Sequence, residues 1–294
     1  MTVRSGDSST SSSLKVSVIT PTLNAERFLL QNLTSVHLRQ GESCDVEQII
    51  VDGQSSDRTI ETVNEFRERY SSNITLLSGR DENMYDAINR GLGVMKGDIW
   101  ANLNADDEYA RGVIPRIVDA FLSHPEADVV YGLPERVDYQ GRHLFTHYFR
   151  DFDLSSLVGH GSVLNASLPA TFLRRKVIQD VGQFDRRYRY ASDYDYLIRI
   201  GKRCRLLRLP FVVTKFREHP GSSSIMESSS ALQKRESLAI SQKYRQEVRP
   251  RVFNQFVNDS LMLLLQVRPG NYRYLVRHIT PALGRGYQNL RMRS

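Results

Sequence analysis

The sequence predicts an α/β fold: a mixed central sheet covered by helices, with further helices at the C-terminal end. Three observations predict it. Short β-branched runs alternate with segments of helical spacing from residue 16 to residue 103, the pattern of βαβ crossovers. Each early strand ends in a polar loop, PTLN (21–24), DGQSSD (52–57) or NADD (104–107). Beyond residue 125 extended runs replace the alternation, and from Ser230 onward Leu and Ile recur at helical spacing.

Taken in order, VSVIT (16–20) reads as a buried strand ending at Pro21. Residues 26–39 put Phe28, Leu29, Leu33 and Val36 on one helical side. EQIIVD (47–52) is a second strand closed by Gly53, and 58–70 a second helix burying Ile60, Val63 and Phe66. NITLL (73–77) is a third strand, 86–95 a third helix and DIWANL (98–103) a fourth strand. DVVYG (128–132) and RHLFTHYF (142–149) flank a turn at Tyr139-Gln140-Gly141, which suggests a hairpin. ATFLRR (170–175) is a strand, 193–203 a helix, and RLLRLPFVVTKF (205–216) extended.

Composition narrows the class. A chain of 294 residues, 40% hydrophobic and 25% charged, can bury a core without staples and is neither collagen-like nor disulfide-rich nor wholly disordered. The longest apolar run, 261–265, stops at Gln266, far short of the roughly 18 residues that cross a bilayer. MTVRSGDSSTSSS has no apolar h-region, so it is not read as a secretory signal. Cys44 and Cys204 belong to no CxxC pair, which suits a reducing cytosol and offers no zinc framework. Residues 234–294 carry twelve Lys and Arg against three acids, a net of +9, while residues 1–233 carry a net of −2. Such a stretch is either a solvated face or a contact for an anionic surface. The expectation is a cytoplasmic protein whose basic stretch meets the inner membrane face peripherally. No nucleic-acid motif is present, so no nucleic-acid partner is expected.

Ligands of parallel sheets bind beyond the carboxyl ends of the strands, where the three polar loops lie. In NADD the acids either hold a divalent cation, since Mg²⁺ and Mn²⁺ favour oxygen ligands, or cap a helix starting near Arg111. Taken alone, the motif is compatible with both. Asp52 either forms a turn with its own backbone or accepts a hydrogen bond from a base or ribose, and Asp57 caps the next helix. Asp193 and Asp195 begin a helix, where one of them or Ser192 would be the N-cap; a carboxylate there also serves as a general base. His143 and His147 read as surface histidines without a third ligand. His219 follows a strand and precedes a Pro-Gly turn, so it reaches the same cleft. There is no GxxxxGK[ST], and Gly91-Leu92-Gly93 lies inside a helix, so neither a P-loop nor a dinucleotide fingerprint exists.

Over about residues 15–225 the chain resembles family 2 glycosyltransferases of the GT-A fold. VSVITPTLN looks like that family's opening strand and loop, and IIVDGQSSDRT like its second-strand signature. GRDENMYDAINRGL resembles the D-x-G-[IM]-Y-D-A-x-N-[KR]-G segment of a subgroup acting in bacterial surface-polysaccharide assembly. NADD takes the D-x-D position, and ATFLRR with GQFDRRYRYASDYDYLIRI resembles the acceptor-side block.

The resemblance implies a nucleoside-diphosphate sugar donor, a glycan or lipid-linked acceptor, and inversion at the transferred sugar. It implies that Pro21, Thr22 and Asn24 line the nucleotide pocket and that Asp52 accepts from the base. Asp81 and Asn89 would hold the nucleotide sugar, with Asn104 beside them. Asp106 would hold Mg²⁺ or Mn²⁺ on the diphosphate, and Asp193 would be the general base; apart from the resemblance, His219, placed at the same cleft by its position in the sequence, is a second candidate metal ligand. It also implies a GT-A domain over 14–225, with a nucleotide-sugar half (14–107) and an acceptor half (108–225). A disordered segment (1–13) would precede it and a basic helical extension (226–294) follow. Four positions depart from the family pattern: Asn104 for the first Asp of D-x-D, Leu23 for an aromatic, Asn83 for the Gly of D-x-G, and Ser192 for the Glu of an E-D pair. Two other readings are a nucleotidyltransferase, which would want a Gly-rich basic loop after the first strand, and a non-catalytic adaptor on a glycan or membrane surface.

Overall fold

The computed structural model describes residues 14–41, 44–147, 151–160, 166–220 and 227–248. The expected disordered segment, 1–13, and residues 249–294, which hold most of the basic stretch and its expected membrane contact, lie outside the described residues.

Strands β1 (Val16–Thr22), β2 (Val46–Asp52), β3 (Ile74–Ser78) and β4 (Ile99–Asn102) alternate with helices α1 (Glu26–His37), α2 (Thr59–Tyr70) and α3 (Met84–Val94). β5 (Glu108–Tyr109), α4 (Val113–Ser123), β6 (Val129–Val137), β7 (His143–Thr146) and α5 (Leu154–His160) follow. Then come β8 (Thr171–Arg174), α6 (Lys176–Val181), α7 (Ser192–Arg203), β9 (Leu206–Arg217) and α8 (Glu227–Arg245). The strands form one sheet in the order β3-β2-β1-β4-β8-β6-β9-β5, with β7 paired to β6. β1 to β4 run parallel, and β8 enters antiparallel between β4 and β6. The sheet is therefore mixed, as expected.

The two faces of β1 explain the layering. Val16 and Val18 look toward Ile114, Ile117 and Phe121 of α4. Ile19 looks the other way, toward Ile88 and Leu92 of α3 and toward Tyr196 and Ile200 of α7. Leu29, Leu33, Val63 and Phe66 close a smaller cluster between α1 and α2. Trp100, the chain's one tryptophan, is completely buried on the α7 side.

Several boundaries differ from the sequence reading, each for a visible reason. β1 continues through Pro21, which pairs with Val51; its other neighbour, β4, pairs with β1 only up to Ile19, so the missing N–H interrupts no ladder there. α3 starts two residues earlier than expected because Asn83 caps it, accepting from Tyr85 N at 3.0 Å and Asp86 N at 3.1 Å. α4 is not capped by Asp106 or Asp107: its N-cap is Gly112 at φ 64°, and Gln40 Oε1 accepts the Ile114 N–H at 2.9 Å. α7 likewise takes no side-chain cap from Ser192, Asp193 or Asp195. The expected hairpin is present as β6–β7, turning through Gly141 at φ 82°.

Candidate active site at the strand ends

The first loops bind each other. Asn24 sits at φ 51°, a left-handed conformation that Asn tolerates. Its Oδ1 accepts from Ser56 N at 2.9 Å, and its own N–H donates to Ser55 Oγ at 2.8 Å. Thr22, buried, donates to Val51 O at 3.3 Å, and Gly53 N–H donates to Thr22 O at 2.9 Å. Pro21 is half-buried, while Leu23, in place of the family aromatic, is 64% exposed.

Asp52 closes a turn with its own backbone, accepting from Gln54 N at 3.0 Å and Ser55 N at 3.1 Å. It has no exposed surface. Direct contact with a base is thus not what this conformation presents, and the turn-forming role is the one seen. The neighbouring acid is Asp81, whose Oδ2 lies 3.7 Å from where a Cβ on Gly53 would stand. Arg90 holds Asp81 Oδ1 at 2.5 Å, but Oδ2 is buried without a partner. Burial raises the Asp81 carboxyl above the usual range, against the opposing pull of Arg90. An orphan acceptor of this kind costs about 1–3 kcal/mol until a donor meets it. Asn89 uses both ends of its amide on Phe184, donating to its carbonyl at 2.9 Å and accepting its N–H at 3.0 Å. That bond joins α3 to the chain before α7 and leaves Asn89 a structural task.

At the end of β4, Asn104 donates to Asp107 Oδ2 at 3.0 Å and accepts from Asn102 at 3.1 Å. Asn32 of α1 holds the loop from beneath, donating to Asn104 O at 2.8 Å and Asp107 O at 3.0 Å. β9 holds it from the other side. Arg217 gives its N–H to Asp107 Oδ1 and its Nε to Asp106 O, each at 3.0 Å, and pairs with buried Glu108. Burial, then the charge of Asp106, pushes the Asp107 carboxyl well above the carboxylate range. Two residues beyond Arg217, His219 Nε2 lies 3.0 Å from Asp106 Oδ2, its ring against Phe28 with centroids 4.8 Å apart. The half-buried Asp106 carboxylate and the imidazole hydrogen-bonded to it are the oxygen and nitrogen donor types that a divalent cation takes alongside phosphate and water oxygens. Among the described residues no cluster of three or more His, Cys, Asp or Glu could enclose an ion.

Asp193 lies half-buried in the first turn of α7. Its Oδ1 accepts from Tyr194 N at 2.8 Å and from Tyr85 Oη at 3.1 Å, and Oδ2 carries neither bond. Burial raises its carboxyl above the ordinary value, and the charge of Glu236 adds to this against the two hydrogen bonds. Tyr85 is fixed by near-parallel stacking on Phe184, which stacks on Tyr196 at 4.1 Å. Asp195 points elsewhere: it is 1% exposed and bound to Arg199, Lys243 and Tyr244. His143 and His147 form no metal pair; they meet Glu135 and Arg136.

Tyr85, Arg90, Asn32 and Arg217 were not singled out as site residues in the sequence. Tyr85 and Arg90 belong to the MYDAINRGL run, and Arg217 stands two before His219, so spacing pointed to them. Asn32 carries no such signal.

Comparison with known proteins agrees with this architecture. The family model described as Glycosyl transferase family 2 matches residues 17–182. A "PGL/p-HBAD biosynthesis glycosyltransferase" of Mycobacterium bovis is 28% identical over 222 residues, covering 74% of this chain and 82% of its own. The structure of Staphylococcus aureus TarS superposes with a TM-score of 0.60 at 16% identity, over 85% of this chain but 42% of TarS. TarS 1–349 in complex with UDP-GlcNAc gives 0.58 at 17% identity, over 94% and 81%. The mannosyltransferase PcManGT of Pyrobaculum calidifontis, in complex with GDP-Man and Mn²⁺, gives 0.59 at 15% identity, over 95% and 84%. These structural neighbours share the GT-A fold.

Proposed function

Because the chain belongs to glycosyl transferase family 2, we propose that it moves a sugar from a nucleoside-diphosphate sugar to an acceptor hydroxyl with inversion, Asp193 acting as general base. Membership sets aside the nucleotidyltransferase and adaptor readings. The observation that carries the proposal is Asp193 itself: a partly exposed carboxylate, made more basic by burial and oriented through one oxygen by Tyr85. A base of raised pKa holds a proton better as the acceptor oxygen attacks.

The remaining roles follow the geometry. The nucleoside lies against the loops at Pro21–Asn24 and Gly53–Ser55, where Asp81 Oδ2 accepts an N–H or O–H of the donor. Asp52 keeps the second loop in shape, and Asn104 with Asn32 keeps Asp106 in place. Asp106 and His219 would hold Mg²⁺ or Mn²⁺, which when bound neutralises charge on the departing diphosphate. The UDP-GlcNAc and GDP-Man complexes of the structural neighbours, the second with Mn²⁺, support a nucleotide-sugar donor and a divalent cation. Residues 14–107 form the donor half and 108–225 the acceptor half. The acceptor is a glycan or lipid-linked molecule, met where the basic stretch 234–294 touches an anionic membrane. No helix among the described residues is long and apolar enough to cross one.

The test is nucleoside-diphosphate release from a panel of UDP-, GDP- and dTDP-sugars with Mn²⁺ or Mg²⁺. Asp193→Asn should lose about 10²–10⁴-fold in turnover, the span of general-base catalysis, while calorimetric affinity for the nucleoside diphosphate stays near wild type. Turnover by the variant at the wild-type rate would remove Asp193 as base.

A further inference from the structure

Glu236 stands on α8, beyond the residues 17–182 that the family model matches. Its carboxylate accepts three successive backbone N–H groups: Arg189 at 2.9 Å, Tyr190 at 2.8 Å and Ala191 at 3.0 Å. Consecutive N–H groups converging on one anion make a nest, a backbone concavity that binds negative charge. Ala191 is the N-cap of α7, two residues before Asp193.

Nothing on α7 does this work. The helix has no side-chain cap, and Ser192 Oγ is buried without a partner. Ser192 is also where the family pattern carries an acid. A carboxylate from a different helix therefore ties down the chain that leads into α7, and its charge favours the positive end of that helix.

We infer that Glu236 is a positioning residue for sugar transfer: by holding the 189–191 backbone at the entry to α7, it orients Asp193. The inference rests on the reading of Asp193 as general base. Among the described residues Asp193 is bonded by Tyr85 from α3 and the Tyr194 N–H of its own helix, and the charge of Glu236 on α8 acts on it. Asp195 is engaged by Arg199, Lys243 and Tyr244 instead. Tyr85 steadies the carboxylate and the charge of Glu236 opposes it. Removing the Glu236 charge therefore lowers the Asp193 pKa. The acid limb of activity moves to lower pH, and the plateau falls because the base is weaker and less well held.

The experiment compares the full chain with Glu236→Gln and Glu236→Ala, with folding checked by circular dichroism. Asp193 is titrated by carbon-detected NMR without any ligand, its resonance assigned by its loss in Asp193→Asn. In Glu236→Gln the midpoint should fall, because the opposing charge is gone. With the donor that the panel selects, kcat should fall about tenfold with the donor KM within about twofold, as for a misplaced catalytic group. A strut with no influence on the base would change thermal stability and leave both kcat and the titration alone, so wild-type kcat together with an unchanged midpoint in folded Glu236→Gln overturns the inference. Should the alanine variant not fold, the glutamine variant carries the test, since it keeps the side-chain shape and one acceptor oxygen. Full turnover by Asp193→Asn would instead overturn the base assignment, a separate result.

Discussion

Tyr85 reaches Asp193 from a ring that is 2% exposed, and burial holds its phenol well above the usual range, so it stays a donor throughout the working pH span. Its hydrogen bond favours the ionised carboxylate and partly offsets the upward push of burial. Tyr85→Phe removes that restraint. The Asp193 pKa then rises further, so more of the base is protonated at a given pH and the acid limb of kcat moves to higher pH, opposite in sign to the effect of Glu236→Gln. A hydrogen bond to a charged group is worth roughly 1.5–3 kcal/mol, which predicts a displacement of about one to two pH units in the pH–rate profile. No displacement would mean that the bond does not tune the base. At this scale the sequence was partly legible. The Asp193 and Asp106 positions came from motifs, and His219 was placed near the same cleft by its neighbours in FREHP. Tyr85 lay in a quoted motif without a role, because its partner is 108 residues away and only the fold brings them together.

β6 and β9 show what an element demands of single residues. They run parallel with register shifts around Gly132 and Pro210, where Tyr131 pairs with Arg208 and Leu133 with Val212. A Cβ on Gly132 would collide with Val213 Cγ2 and stand 2.9 Å from Phe211 O. Backbone cannot yield as a side-chain tip can, so Gly132→Ala should cost about 2 kcal/mol, read as a lower urea midpoint. A variant as stable as wild type would mean that the two strands separate freely there. This pair matters because β9 ends at Arg217 and so delivers His219 to Asp106. The long strands and helices were legible from periodicity, since each buries a regular set of apolar positions. β5, α5 and α6 were not: two, seven and six residues are too few to show a period, and β5 exists through its pairing with β9. The capping reading of NADD failed because a residue on another element, Gln40, meets the N-terminus of α4.

Across the whole molecule, α8 is wired into α7. Asp195, 1% exposed, accepts Arg199 Nε at 2.7 Å on its own helix and Lys243 Nζ at 3.2 Å and Tyr244 Oη at 2.9 Å from α8. Asp195→Ala leaves two cations facing an empty acceptor. Because Lys243 is 47% exposed and Arg199 21%, solvent recovers part of the loss, and about 2–3 kcal/mol is expected. Chemical denaturation would measure it, and hydrogen exchange should quicken along α8 first; uniform exchange across the chain would argue that α8 is not held by this contact. Such wiring was invisible in the sequence, where the same helix read as one part of a basic extension. The other junction is α3, which touches the segment before α7 through Asn83 to Arg186 O, Asn89 to Phe184 and Asp86 to Arg186. Anyone building chimeras by grafting a relative's counterpart of residues 108–225 onto this chain's first half inherits that seam. The graft must offer its main chain at 184–186 in the same register, or the recipient helix loses its footing and Tyr85, on that helix, no longer meets Asp193.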